Sequence, residues 1–356
     1  MTPRISDLHI AREEALPSPR LLRQELPCSD AQAEHIARSR DTVRRILRGE
    51  DGRLLVITGP CSIHEPESAV EYAARLHALA QTLGDALFPV MRVYFEKPRT
   101  RMGWKGLIYD PSLDGRGDIG EGLRAARRLL LDCARLEVPA ASEILDLVTP
   151  QYYAELLSWG AIGARTVESP LHRQMASALS APVGFKNTTG GALEVAIDAI
   201  HVAQQPHRFP SVSLDGLAMA VTTTGNPDGH LVLRGGSGMT NYDASSVARA
   251  AEALHGSGLR NRVVIDCSHG NSGKEYRRQP AVASDVARQL KVGSRLIAGV
   301  MLESHLVEGR QDILNARAGL TYGQSVTDGC IGWDQTVAVL DELAAAVQQR
   351  RRVLGA

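Results

Sequence analysis

Eight short runs of β-prone, largely apolar residues recur after residue 50 of this chain, and a segment with helical periodicity lies between most neighbouring pairs. The runs are LLVIT (54–58), PVMRVYF (89–95), VPAASEI (138–144), AIGARTV (161–167), PVGFKN (182–187), HLVLR (230–234), RVVIDCS (262–268) and RLIAGVMLE (295–303). Several are almost continuous in apolar side chains rather than alternating, the pattern of strands covered on both faces in a parallel sheet. The helical segments between them fall at 67–83, 120–136, 150–159, 171–179, 191–204, 243–257 and 281–292. Strand and helix alternating in this way specify an α/β fold of the (β/α)8 TIM-barrel type. A doubly wound sheet ranks lower, because no glycine-rich dinucleotide fingerprint follows the first strand.

Two stretches do not belong to the repeat, which divides the chain into an N-terminal arm and helix (1–50) and a barrel (51–350). In the first, an irregular arm containing Pro17 and Pro19 leads to a helix from about Ser29 to Arg48, with Ser29 or Asp30 placed to cap it. The second, SVSLDGLAMAV (211–221), alternates around Asp215-Gly216 and reads as a β-hairpin inserted between barrel strands five and six, within about 208–226. A minimal barrel needs neither, so both are expected to serve assembly or regulation.

Composition narrows the partners. Lys plus Arg and Asp plus Glu each total 40, so the chain has no net charge and no global electrostatic case for nucleic acid or a membrane surface. No run approaches the ~20 apolar residues of a membrane span, and Arg4, Asp7, Arg12, Glu13 and Glu14 leave no room for a signal-peptide core. The expected location is cytoplasmic. Five scattered cysteines without a CxxC pair argue for reduced thiols.

Barrel enzymes build their sites at the C-terminal ends of the strands. Those positions carry Cys61, Arg92 with Lys97, Glu143, Arg165, Lys186, Arg234, His269 and Glu303. Any one of these alone is an ordinary loop residue. Together, four or five cations converging on one mouth need anions, because an unpaired buried cation is costly, and guanidinium forks match phosphate and carboxylate. Cys61, His269 and Glu303 come from the first, seventh and eighth strands, which become neighbours when a barrel closes. Their donor types suit a metal, with Asp328 as a possible fourth ligand. A buried apolar thiol beside a loop histidine, and a nucleophilic Cys/His pair, stay open. KPRT (97–100) adds a cation and a hydroxyl suited to a second phosphate.

The motifs GPCSIH, MRVYFEKPRT, GWKGL, PVGFKN, LRGG and DCSHGNS, together with YGQS near the C-terminus, resemble the type I 3-deoxy-D-arabino-heptulosonate 7-phosphate (DAHP) synthases of the feedback-regulated bacterial and yeast kind, in order from about residue 20 to 350. The resemblance implies a transferase that condenses phosphoenolpyruvate with erythrose 4-phosphate and water, giving DAHP and phosphate, the first step of the shikimate pathway. It makes Cys61, His269, Glu303 and Asp328 the ligands of one divalent ion, with manganese, iron, cobalt and zinc all compatible. Phosphoenolpyruvate is implied at Arg92, Lys97, Ala164, Arg165, Lys186 and Arg234, and erythrose 4-phosphate at Lys97, Pro98, Arg99, Thr100 and Asp328. Lys97, Glu143 and Lys186 are the implied proton-handling and water-orienting groups, and Cys61 and Asp328 complete the catalytic set.

By the same resemblance, an aromatic amino acid binds where Pro150, Leu179, Ser180, Phe209, Ser211 and Val221 match, beside a neighbouring subunit's arm in a homodimer or homotetramer. Ser211 favours phenylalanine, since a glycine there is typical of tyrosine-sensitive members. Tyr109 stands where the family usually has Asn, and NTTGGAL and RGGSGMTNY also depart from its pattern. Two other readings are a related phosphoenolpyruvate-dependent synthase acting on arabinose 5-phosphate, and a catalytically silent barrel that binds metabolites or a partner.

Overall fold

The computed structural model describes residues 5–99, 103–313 and 319–355. Its strands are β1 (Leu54–Gly59), β2 (Leu87–Arg92), β3 (Ala140–Glu143), β4 (Trp159–Ile162), β5 (Val183–Lys186), β6 (Arg208–Val212), β7 (Ala218–Thr222), β8 (Gly229–Leu233), β9 (Val263–Asp266), β10 (Ile297–Glu303), β11 (Val307–Arg310) and β12 (Gln324–Ser325). The helices are α1 (Pro19–Glu25), α2 (Asp30–Arg48), α3 (Pro66–Thr82), α4 (Ile119–Arg135), α5 (Pro150–Tyr153), α6 (Pro170–Ala176), α7 (Glu194–Ala203), α8 (Ala244–Gly256), α9 (Gln279–Lys291) and α10 (Trp333–Leu354). Eight strands close a barrel in the order β1-β10-β9-β8-β5-β4-β3-β2, every neighbouring pair parallel. β6 and β7 form the antiparallel hairpin between the fifth and sixth barrel strands. No helix of the described residues is long and apolar enough to cross a membrane.

The two faces of the strands feed two cores. Leu54 and Val56 join the layer between sheet and helices, while Leu55, Ile57, Val90, Ala141, Trp159, Val232, Val264 and Met301 form a second cluster that fills the barrel. The near-continuous apolar runs follow from this double burial. Trp159 spans the interior: a Cβ added to Gly184 would lie 2.4 Å from its ring, and its Nε1 donates to His230 Nε2 at 3.0 Å. The chain closes the bottom of the barrel with α2, whose Val43, Ile46 and Leu47 belong to the same interior cluster. A reciprocal capping box starts that helix: Gln32 N donates to Ser29 Oγ, and Ser29 N donates to Gln32 Oε1.

Local differences from expectation have local causes. Pro19 does not lie in irregular chain but opens α1, with Ser18 as its cap. The run 161–167 is strand only to Ile162, and Arg165 sits in the turn beyond it. The helix expected at 150–159 is one α-turn and a 3-10 turn, because β4 already begins at Trp159. The hairpin starts at Arg208, and its loop is longer than two residues: Ser213 N donates to Leu217 O, with Gly216 at φ 79°. α10, absent from the expected helices, completes the eighth unit.

Candidate active site

Cys61, Arg92, Glu143, Lys186, Arg234, His269 and Glu303 all lie at or just past the C-terminal ends of barrel strands, on one mouth. Cys61 follows β1 and is fully buried. Donor atoms of Cys61, Glu303 and Asp328 lie within 4.8 Å of one another. His269 stands at the edge of this group, its Nε2 3.9 Å from Glu303 Oε1. It holds a left-handed backbone, φ 54°, rare for a residue with a side chain. Burial, reinforced by Glu303 and opposed by Lys97, pushes the Cys61 thiol up to about 11. A protonated thiol is a poor nucleophile, and the hydrogen-bonding partners of the His269 ring are Asp266 and Ser268, which disfavours the Cys/His pair. A thiol crowded by two carboxylates is a donor set that a dication relieves.

The cations divide into two groups. Arg92, buried at the end of β2, donates to Glu303 Oε1 at 2.9 Å and to Pro60 O, and its guanidinium lies 3.6 Å from the Tyr94 ring centre. Lys97 Nζ is 2.9 Å from Cys61 Sγ and 4.0 Å from Asp328 Oδ2. Burial opposes its charge, but Cys61, Glu303 and Asp328 outweigh that and hold the ammonium above its ordinary range. Lys186, buried at the end of β5, donates to Asp266 Oδ2 at 2.9 Å. Arg234 and Arg165 differ from these. Among the described residues neither makes an ion pair, although Arg234 is only 7% exposed, and its Nη1 donates to the Gly235 carbonyl at 3.4 Å. Burial lowers the Arg234 guanidinium below its ordinary range; the Asp266 carboxylate, helped by Glu143 and Glu303, opposes this, and the charge of Arg165 adds to it. Two like charges beside one another, one of them desolvated, describe an anion site.

Other expected residues fall around this centre. The Glu143 carboxylate rests against Gly163, where a Cβ would come 2.1 Å from Oε1, and Ala164 begins the turn that carries Arg165. Lys97 N donates to Lys105 O, closing the loop that holds Pro98 and Arg99. Arg99 Nε donates to Trp104 O at 2.8 Å. Thr100 lies outside the described residues. On the hairpin side, Phe209 pairs with Val221 across β6 and β7, and Ser211 Oγ accepts from Gln151 Nε2, next to Pro150, at 3.4 Å. The carbonyls of Leu179 and Ser180 accept from Asn226 and Arg44.

Two acids escaped the reading of strand ends. Asp266 is the last residue of β9, and its only signal was a carboxylate closing the apolar run VVID. Glu96, one residue before Lys97, is buried against Thr149 Oγ1 at 3.1 Å and the Tyr153 hydroxyl at 3.4 Å. Burial and then Asp146 push its carboxyl up to about 7. Tyr109, the unusual residue, donates to that same Asp146 at 2.9 Å.

A family model described as the DAHP synthetase I family matches residues 27–341. This chain belongs to the DAHP synthetase I family. Within it, the chain is 51% identical over 95% of its length to the Tyr-sensitive phospho-2-dehydro-3-deoxyheptonate aldolase of Escherichia coli K12, covering 95% of that protein. It is 52% identical over 97% of its length to the Phe-sensitive enzyme of the same strain, covering 98% of it. A Trp-sensitive enzyme of Enterobacter agglomerans is also 52% identical, with 97% and 98% covered. The solved structure of the Francisella tularensis SCHU S4 phospho-2-dehydro-3-deoxyheptonate aldolase superposes with a TM-score of 0.94 at 47% identity, over 96% of this chain and 99% of that one.

Proposed function

We propose that this chain is a metal-dependent DAHP synthase that joins phosphoenolpyruvate to erythrose 4-phosphate. Membership of the family names the reaction class. The observation that carries the reading to these residues is the desolvated Arg234, without an ion pair among the described residues and under the like charge of Arg165, on the same mouth as the Cys61, Glu303 and Asp328 cluster. Phosphoenolpyruvate brings a phosphate and a carboxylate, and the reading assigns them to Arg92, Lys97, Arg165, Lys186 and Arg234, with the backbone at Ala164 assisting.

Cys61, His269, Glu303 and Asp328 would hold the divalent ion, which supplies Lewis acidity toward the aldehyde oxygen when bound. Lys97, held protonated by its anionic neighbours, is placed to give a proton to that oxygen as C3 of the enol phosphate attacks the aldehyde carbon. Glu143 and Lys186 orient the water that adds to C2, and the phosphate then departs with cleavage of its C–O bond. Pro98, Arg99 and Thr100 hold the second phosphate, with Asp328 near the aldehyde.

Residues 51–350 form the catalytic unit in this reading, while the arm (1–50) and the hairpin (208–226) serve feedback and assembly. Pro150, Leu179, Ser180, Phe209, Ser211 and Val221 receive the aromatic effector, phenylalanine by preference. Exposed Ile5, Leu8, Ile10 and Leu16 on the arm, with Leu217 and Met219 on the hairpin, support a homodimer or homotetramer. Phosphate release from phosphoenolpyruvate, measured after chelation and again after each metal is restored, tests the reading. Activity that survives complete chelation contradicts its metal dependence, and equal inhibition by all three aromatic amino acids contradicts the effector preference.

A further inference from the structure

The fully buried carboxylate of Asp266 touches both halves of the site at once. Its Oδ2 is 2.9 Å from Lys186 Nζ and 2.9 Å from His269 Nδ1. The other oxygen, Oδ1, accepts from Ser268 N at 3.0 Å and from Ser268 Oγ at 2.5 Å. Ser268 Oγ also lies 2.7 Å from His269 Nδ1. With the Ser268 hydroxyl proton directed to Asp266, Nδ1 carries the imidazole proton and Nε2, on the Glu303 side, keeps its lone pair. The left-handed backbone of His269 is strained and persists only where its surroundings over-determine it. Here Lys274 N donates to the His269 carbonyl at 2.6 Å, and Asp266 grips the ring. Past the intervening strand β8, Asp266 accepts a hydrogen bond from the ammonium of Lys186.

We infer that Asp266 is a positioning residue that couples metal binding to phosphoenolpyruvate binding, by holding His269 for the one and Lys186 for the other. This rests on the proposed function and adds a linkage to it. A shift of the carboxylate toward either partner changes its hold on the other, so an ion that fixes His269 alters the setting of Lys186. Linkage then requires phosphoenolpyruvate to change metal affinity by the same factor as the metal changes phosphoenolpyruvate affinity.

Cobalt(II) titrations of the chelated enzyme, read by thiolate-to-cobalt absorbance with and without phosphoenolpyruvate, test the coupling without a turnover measurement. In the unsubstituted enzyme, phosphoenolpyruvate is expected to shift the cobalt dissociation constant. Asp266→Asn is expected to weaken cobalt binding by roughly 10–100-fold, as loss of a carboxylate behind a ligating histidine does, and to abolish the shift. Ser268→Ala keeps the carboxylate and is expected to give an intermediate shift, which preserves the test should Asp266→Asn fail to fold by circular dichroism. Cobalt and phosphoenolpyruvate binding independently in the unsubstituted enzyme, or an undiminished shift in a folded variant, overturns the coupling while the proposed function stands. Absence of any thiolate-to-cobalt band or of phosphoenolpyruvate binding overturns both.

Discussion

Arg234 is a buried guanidinium that makes no ion pair among the described residues, and its desolvation with the charge of Arg165 outweighs the pull of Asp266, Glu143 and Glu303, so its charge works against folding until an anion arrives. Arg234→Met is therefore expected to weaken phosphoenolpyruvate binding by roughly 10–100-fold, the loss of one charge-assisted hydrogen bond, while the melting temperature stays level or rises. Calorimetry and thermal melting of the same sample check both, and a large drop in melting temperature would contradict the account. Glu96 makes the opposite case, an acid whose neutral form suits its surroundings. Its carboxyl is raised from the ordinary 4.5 to about 7 by burial and by Asp146, with Tyr109, Tyr153 and Thr149 packed around it. A raised acid stabilises the fold fully below its unfolded value, and that contribution is lost as pH climbs through 7. Glu96→Gln should then flatten the fall in melting temperature from about pH 5 to 8, and an unchanged slope would count against it. Strand-end positions made Cys61, Arg92, Lys186 and Glu303 legible, because the barrel dictates where strand ends point. Glu96 was not legible, since burial against Tyr153 depends on a partner more than fifty positions away. Asp266 reads in sequence like any acid at a strand end, and its significance comes from two partners meeting one oxygen.

At the scale of elements, α2 and the hairpin show how far local signals reach. Residue chemistry alone narrowed the cap of α2 to Ser29 or Asp30, of which Ser29 takes the place, and it also gave the existence of the hairpin. The hairpin's register did not follow, because the longer loop is set by Ser213 and Leu217 pairing with each other. β4 ended before Arg165 for a comparable reason: a strand stops where its neighbour offers no further partner, and the pairing with β5 ends at Ile162 and Phe185. Since α2 closes the barrel floor, Ser29→Ala is expected to cost about 1 kcal/mol, seen as a lower urea midpoint with activity retained. In the proposed reading the hairpin carries the effector preference. Ser211→Gly removes the acceptor for Gln151 and is expected to shift inhibition from phenylalanine toward tyrosine. Inhibition curves with the three aromatic amino acids check this, and unaltered selectivity would remove Ser211 from the effector site.

For the molecule as a whole, the closed order of strands brings β10 and β9 round to β1, so residues more than two hundred positions apart share one mouth. That architecture was legible in the eightfold alternation, since eight doubly buried parallel strands with helices between them are what a (β/α)8 barrel requires. The pairing state of each cation was not legible, because it depends on distances that closure alone fixes: Lys186 is paired with Asp266 and Arg92 with Glu303, while Arg234 makes no ion pair among the described residues. The central claim is that this imbalance is met by phosphoenolpyruvate during condensation with a four-carbon aldose phosphate. Mass spectrometry of the products formed by the metal-restored enzyme from phosphoenolpyruvate and either erythrose 4-phosphate or arabinose 5-phosphate tests it most directly. The account predicts a seven-carbon sugar-acid phosphate from erythrose 4-phosphate, with one phosphate released per product. An eight-carbon product from arabinose 5-phosphate in preference, or no condensation product with any metal, would contradict it.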